Sequence, residues 1–315
     1  MTDHPRLQMI HHHDDRVIVS APATATTDTV DLFEYVYKPV SSDFEGPKPY
    51  LHPVRTLAGQ VVTTYRPHDH LWHKGIQMTI AHLSGENFWG GNTYVHGTGY
   101  VRLPEVGRMD HHSWHALGVA GEPGTGDALA RIDHDLIWRN SHGEAWVSER
   151  RTIDVDEMDA TAGWWSLRFR TTLTNIRNAP LEFGSPTTHG RPMAGYGGLF
   201  WRGPRDFADK GGTVIGPDGG SGEAMMGVAA PWLAYAGLHD GTETATTLIF
   251  INQPDSFRYP TKWFVRTTYT PVASFAPVFD QEHILLPGEA FTLHHRIVVA
   301  TGALSREQVE VIASS

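Results

Sequence analysis

The chain has 315 residues, 40% of them hydrophobic and 19% charged, with 32 glycines and 20 prolines. That is enough apolar material for a large core broken by many turns, and it excludes a disordered chain, a collagen and a coiled coil. Acidic residues outnumber basic ones by 35 to 25, for a formal charge of −10, so the basic footprint of a nucleic-acid binder is missing. With no cysteine in the sequence, disulfides, thiolate nucleophiles and Cys-ligated metals are excluded as well, which fits a reducing cytoplasm.

Residues 1–15 are polar and carry Asp3, Asp14 and Asp15 where a signal peptide needs a basic start and an apolar stretch. They read as a flexible, unexported segment with His11, His12 and His13 exposed. Beyond it the hydrophobic period is two, which predicts strands over 16–20, 30–37, 60–65, 76–83, 129–138, 146–155, 165–173, 232–237, 246–252, 263–268 and 291–299. Clusters of Gly, Pro, Asn and Asp separate them. The longest mostly apolar stretch, 226–238, is about thirteen residues and is broken by Gly227 and Pro231, short of the roughly twenty a membrane helix needs. One helix carries its own start signal, Ser305 followed by Gln308 ahead of Val309 and Ile312. Neither a linker nor a repeat divides the chain, so residues 1–315 read as a single all-β sandwich or barrel with a short C-terminal helix.

Twenty histidines against no cysteine make imidazole the natural carrier of chemistry. The densest run is 66–77, a Pro- and Gly-bounded loop feeding an apolar strand. In an extended segment His68 and His70 share a face, and with His73 they could hold a divalent metal if Asp69, Glu149, His112 or His189 completed the set. A metal-free acid–base or sugar site and a polar loop bonded to its own backbone fit the run as well. Glu149 and Arg151 share the apolar parity of Val147, Ile153 and Val155, as a structural ion pair or as a carboxyl group tuned for proton transfer. His134, between Ile132 and Leu136, reads as a satisfied core histidine. Segments 197–202 and 252–266 combine aromatic rings with arginines, a pairing suited to polyhydroxylated or anionic ligands, with Trp89 and Trp263 as the stacking candidates. The motifs of serine hydrolases, P-loop and Rossmann proteins and HExxH metalloproteases are absent.

Several pieces together resemble the soluble PmoA-like proteins, a family long carried as a domain of unknown function. They are Lys48 to Val54, Asp69-His70-Leu71-Trp72-His73-Lys74-Gly75 against the family's Asp-His-Pro-His-His-Arg-Gly, and Asn87-Phe88-Trp89. Later pieces are Gly197-Gly198-Leu199 with Arg202, the 252–260 segment, and His295-Arg296. Leu71-Trp72 stands where the family has Pro-His, and Lys74 where it has Arg. The resemblance implies a large antiparallel β-supersandwich similar to galactose mutarotase, with histidines and a carboxylate on a concave sheet moving sugar protons.

The resulting expectation is a soluble cytoplasmic enzyme acting on a small-molecule carbohydrate or glycoside as a hydrolase, lyase or epimerase, with no nucleic-acid or membrane partner. His70 and His73 would be acid and base, Asp69 would orient an imidazole, and Glu149 would assist. Lys74, Gln77, His189, Arg202, Asn252, Arg258 and Arg266 would bind substrate oxygens, and Trp89 and Trp263 would stack on the ring. No cofactor is required by this chemistry. The alternatives are a metalloenzyme using His68, His70 and His73 on a divalent ion, and a non-catalytic sugar-binding module.

Overall fold

The computed structural model describes residues 6–23 and 28–315. Two eight-stranded sheets dominate it. The first runs, edge to edge, through Gln8–His12, Arg16–Ala21, Val30–Val36, Tyr50–Val54, Ile76–Ile80, Gly197–Arg202, Val272–Ala276 and Lys262–Arg266. The second runs through Gly212–Ile215, Trp232–Leu238, Ala245–Asn252, Ala290–Thr301, Trp164–Asn175, Ala145–Asp159, Ala130–Arg139 and Arg108–Val119. Neighbouring strands in both pair antiparallel. A three-stranded sheet (His283–Leu285, Leu181–Gly184, His82–Leu83) and a hairpin (Thr93–Val95, Gly99–Val101) flank them.

The expected all-β sandwich is therefore what forms. Alternation sends every second side chain inward, and the inner faces meet through aromatic rings. Phe33 stacks on Trp165 at 6.0 Å, Trp201 meets Phe250 at 5.5 Å, and Phe275 lies on His295 at 3.9 Å. The capping box at Ser305 forms as read, with Ser305 Oγ accepting from the Gln308 amide and the Gln308 side chain accepting from the Ser305 amide. The helix Arg306–Ala313 lays Val309 and Ile312 against Trp232, Ile249 and Val298 on the second sheet. Among the described residues no helix is long and apolar enough to cross a membrane.

Two expectations need correction. The N-terminal segment is not free along its length: Gln8–His12 is an edge strand paired with Arg16–Ala21, and His11 Nε2 lies 2.9 Å from the Tyr37 hydroxyl. Residues 1–5 lie outside the described residues. Segment 60–65 forms isolated bridges, Arg55 to Val61 and Tyr65 to Lys74, instead of a strand. There the Thr63 hydroxyl takes the Val54 amide, at 3.1 Å, that a ladder would otherwise use.

Candidate active site

The strand Gly197–Arg202 divides its side chains between the two faces of the first sheet. Leu199 and Trp201 turn inward, while Phe200 and Arg202 share the opposite face. Register carries that outer face across the sheet, because Phe200 pairs with Ser274 and Ser274 with Phe264, while Arg202 pairs with Val272 and Val272 with Arg266. A cavity of about 440 Å³ opens here over Phe200, Phe264, Arg266 and Val272. Loop residues His70, Trp72, His73, Trp89 and Asn92 form one part of its wall. Tyr100, Arg191, Tyr196 and the turn Thr268-Tyr269-Thr270 form the rest.

The loops hold this shape for local reasons. His70 and His73 donate their amides to Pro67 O and His70 O at 2.9 Å, two successive turns that place the imidazoles side by side. Gly75 ends the loop at φ +57°, where a Cβ would stand 2.0 Å from Leu51 O. Trp72 packs on the backbone of Gly91 (φ +72°), where a Cβ would lie 2.5 Å from the indole ring. Asn87 Oδ1 accepts from the amides of Trp89 and Gly90 at 2.8 and 2.9 Å. Buried Lys48 donates to Gly46 O and Trp89 O, tying two loops together.

At the centre His70 and His73 stack with ring centroids 4.6 Å apart and planes 18° from parallel. His70 Nδ1 lies 3.3 Å from Asp69 Oδ2, and Asp69 Oδ1 accepts from Arg205 at 2.9 Å. Burial lowers the His70 pKa, opposed by the Asp69 carboxylate. Burial pushes His73 much further down, helped by the charges of His70, Arg202 and Lys48. Both imidazoles are neutral at pH 7. Neither ring nitrogen of His73 has a hydrogen-bond partner among the described residues. Tyr196 donates to or accepts from Tyr100 at 3.0 Å, and Arg191 donates to the Tyr100 hydroxyl while its guanidinium sits 4.8 Å from that ring centroid.

The structure brings together only part of the predicted set. His70, His73, Trp89 and Arg266 line the cavity, Asp69 stands behind His70, and Arg202 lies buried on the same sheet face. Glu149 does not reach it. It is wholly buried in the core, where its carboxylate accepts from Arg151 Nε and Nη2, Trp138 Nε1 and Thr171 Oγ1. With its acceptor positions filled, it is a structural anchor. Lys74 is also buried, paired at 3.1 Å with Glu45, which takes Arg66 as well. Gln77 donates to Trp72 O at 3.1 Å and so supports the loop from beneath. Asn252 and Trp263 both donate to Ala230 O at 3.1 Å, inside the core. Arg258 spends its donors on the carbonyls of Pro277, Gln281 and Glu282.

The expected grip of His68, His70 and His73 on one ion does not form, because exposed His68 turns toward Arg205, with Nδ1 3.2 Å from Nη2. His189 stacks on His82 at 3.9 Å, away from the cavity, and groups instead with Glu182 and Glu282, their donor atoms within 4.8 Å of one another. His134 is the satisfied core residue it was read to be, between the Tyr35 hydroxyl at 2.8 Å and His111 at 2.9 Å. Sequence reading missed Trp72, Asn92, Tyr100, Arg191, Tyr196 and the 268–270 turn. Glycine-flanked aromatics, Gly99-Tyr100 and Gly195-Tyr196-Gly197, were the available signal for two of them.

No curated protein matches the chain at the level of sequence. Among solved structures it is similar to the GH36 α-galactosidase AgaA of Geobacillus stearothermophilus, with 10% identity over 96% of this chain and 42% of that one and a TM-score of 0.39. It is also similar to the Slr1438 protein of Synechocystis sp. PCC 6803, with 12% identity over 96% and 97% of the two chains and a TM-score of 0.37. The GalM/aldose epimerase homologue from C. elegans has 8% identity, 95% and 99% coverage and a TM-score of 0.33. These likenesses are distant, and the chain spans about two fifths of the galactosidase's length. None of these three structures carries the PmoA-like name. The profile of a family of unknown function, DUF6807, matches residues 23–314, and the chain belongs to that family.

Proposed function

We propose that this protein is a carbohydrate-active enzyme that moves a proton at a sugar carbon, with His70 and His73 as the acid–base pair and Asp69 holding His70 in orientation. One observation carries the reading: two stacked, neutral imidazoles open into an aromatic-walled cavity of about 440 Å³, a volume within the usual range for small-molecule sites. A base must be unprotonated to accept a proton, and burial keeps both rings so at pH 7. Trp72, Trp89 and Phe200 offer flat faces to sugar C–H groups. Among the described residues no carboxylate lines the cavity, so the two-carboxylate route of glycoside hydrolysis lacks its acid and nucleophile. This favours epimerisation or elimination over hydrolysis, and the chemistry as written requires no metal.

Incubating the protein with mono- and disaccharides in D₂O and following each sugar proton by NMR tests the reading directly. The expected result is loss of one C–H signal to deuterium, slowed at least about a hundredfold in His70→Ala and in His73→Ala, the usual scale for a lost acid or base. Exchange that persists unchanged in both variants would overturn the assignment. Binding without exchange would favour a sugar-binding module, and exchange abolished by a chelator would favour a metal-dependent enzyme.

A further inference from the structure

The ionisable groups lining the cavity are His70, His73, Arg191, Arg266 and three tyrosines, with no carboxylate among the described residues. That is a pronounced local bias in a chain with 35 acidic and 25 basic residues. Arg266 is offset by Glu223 at 3.1 Å. Arg191 forms no ion pair among the described residues and bonds the neutral Tyr100 hydroxyl. Arg202 is the sharper case. It is fully buried, it shares a sheet face with the cavity-lining residues Phe200 and Val272, and among the described residues Nε, Nη1 and Nη2 all lack a hydrogen-bond partner. Burial draws its pKa down only to about 10, so it stays charged at pH 7. The carboxylate whose field reaches it, Asp69, is already held by Arg205. A guanidinium buried without a counter-ion is costly to the fold, and its field acts on His70 and His73 beside the cavity.

We infer that the ligand is an anionic carbohydrate, a sugar bearing a carboxylate or phosphate group whose charge is met by Arg191 at the wall and by the field of Arg202, buried beside the lining residues Phe200 and Val272. The inference rests on the reading of the cavity as a sugar site and adds the class of sugar. A planar guanidinium fork matches either oxyanion in a two-point hydrogen bond, and a ligand charge would supply the partner that the protein withholds from Arg202.

Calorimetric titration with matched pairs tests it: glucuronate against glucose, galacturonate against galactose, their disaccharide counterparts, and glucose 6-phosphate. The expected result is affinity at least tenfold higher for an anionic member than for its neutral parent, the carboxylate and phosphate arms showing which oxyanion is preferred. Arg202→Met should abolish that preference and raise the thermal midpoint, because it removes a buried unpaired charge, an effect a merely structural arginine would not produce. Arg191→Gln, at a partly exposed position, should cut the preference even if Arg202→Met folds poorly. Neutral sugars binding as tightly as their acids, or a preference that survives both substitutions, would overturn the charge assignment while leaving the sugar reading intact. Failure of every sugar to bind would bring down both.

Discussion

Glu149 shows how a charged side chain in an apolar strand can be wholly structural. Its four hydrogen bonds come from Arg151, Trp138 and Thr171, and Arg151 Nη1 continues to the Tyr35 hydroxyl at 3.1 Å and so to His134. Removing the carboxylate charge strands a buried guanidinium. Glu149→Gln should therefore cost about 3–5 kcal/mol of stability, read as a lowered urea midpoint, while the deuterium exchange of the folded fraction stays at the wild-type rate. Replacing both members with leucine should recover most of the loss. A midpoint shift worth less than about 1 kcal/mol would contradict this account. At His70 and His73 the order is reversed: their neighbours leave ring nitrogens unsatisfied, and these are the positions where loss of activity should exceed loss of stability.

At the scale of elements, the cavity depends on loops that approach closer than most side chains permit. Gly91 and Gly85 both have positive φ, +72° and +88°, but only Gly91 faces a neighbour, the Trp72 ring 2.5 Å from where a Cβ would stand. Gly85→Ala should cost about 1 kcal/mol of backbone strain and leave ligand affinity alone. Gly91→Ala should add displacement of Trp72, lower stability by a further 1–3 kcal/mol or so, and weaken binding at least tenfold by titration. Equal affinities in the two variants would show that Trp72 does not shape the site.

The same loops explain which elements the sequence announced. Where the second sheet is not covered by the helix its outer face is wet, and Ala130–Arg139 alternates buried with half-buried residues along its length, so its period of two is plain. Gly197–Arg202 and Val272–Ala276 are buried at every position because loops and cavity walls cover the outer face of the first sheet. A strand buried on both sides has no alternation to read. The site was readable in the same uneven way. His70 and His73 are close in sequence and rich in chemistry, whereas Tyr100, Arg191, Tyr196 and Tyr269 come from separate segments that only the folded topology brings together.

For the molecule as a whole, the histidines set a limit on acid tolerance. Burial holds His295 down to about 3 and pushes His73 and His134 well below their ordinary value. Unfolding returns each to about 6.5. The unfolded chain therefore binds protons that the folded chain refuses, so stability is complete above about pH 6.5 and is lost as the pH falls toward the folded values. At pH 5 the loss from His295 alone is about 2 kcal/mol, a sizeable part of the 5–15 kcal/mol typical of a domain, and His73 and His134 act in the same direction. Urea midpoints at pH 7.5 and pH 5 should differ accordingly. An unchanged midpoint would mean that these rings are open to protons in the native state.

A cavity lined by Arg191 and Arg266 and, among the described residues, by no carboxylate, set in a body of net charge −10, divides the journey of a negatively charged visitor into two opposed stages. From afar it is pushed away; within roughly a Debye length, about 10 Å at 0.1 M salt, it is drawn in. Added electrolyte softens both stages, so encounters grow more frequent as dwell times shorten. Equilibrium affinity alone then understates how strongly the inner field discriminates, and the departure rate is the quantity that carries its imprint.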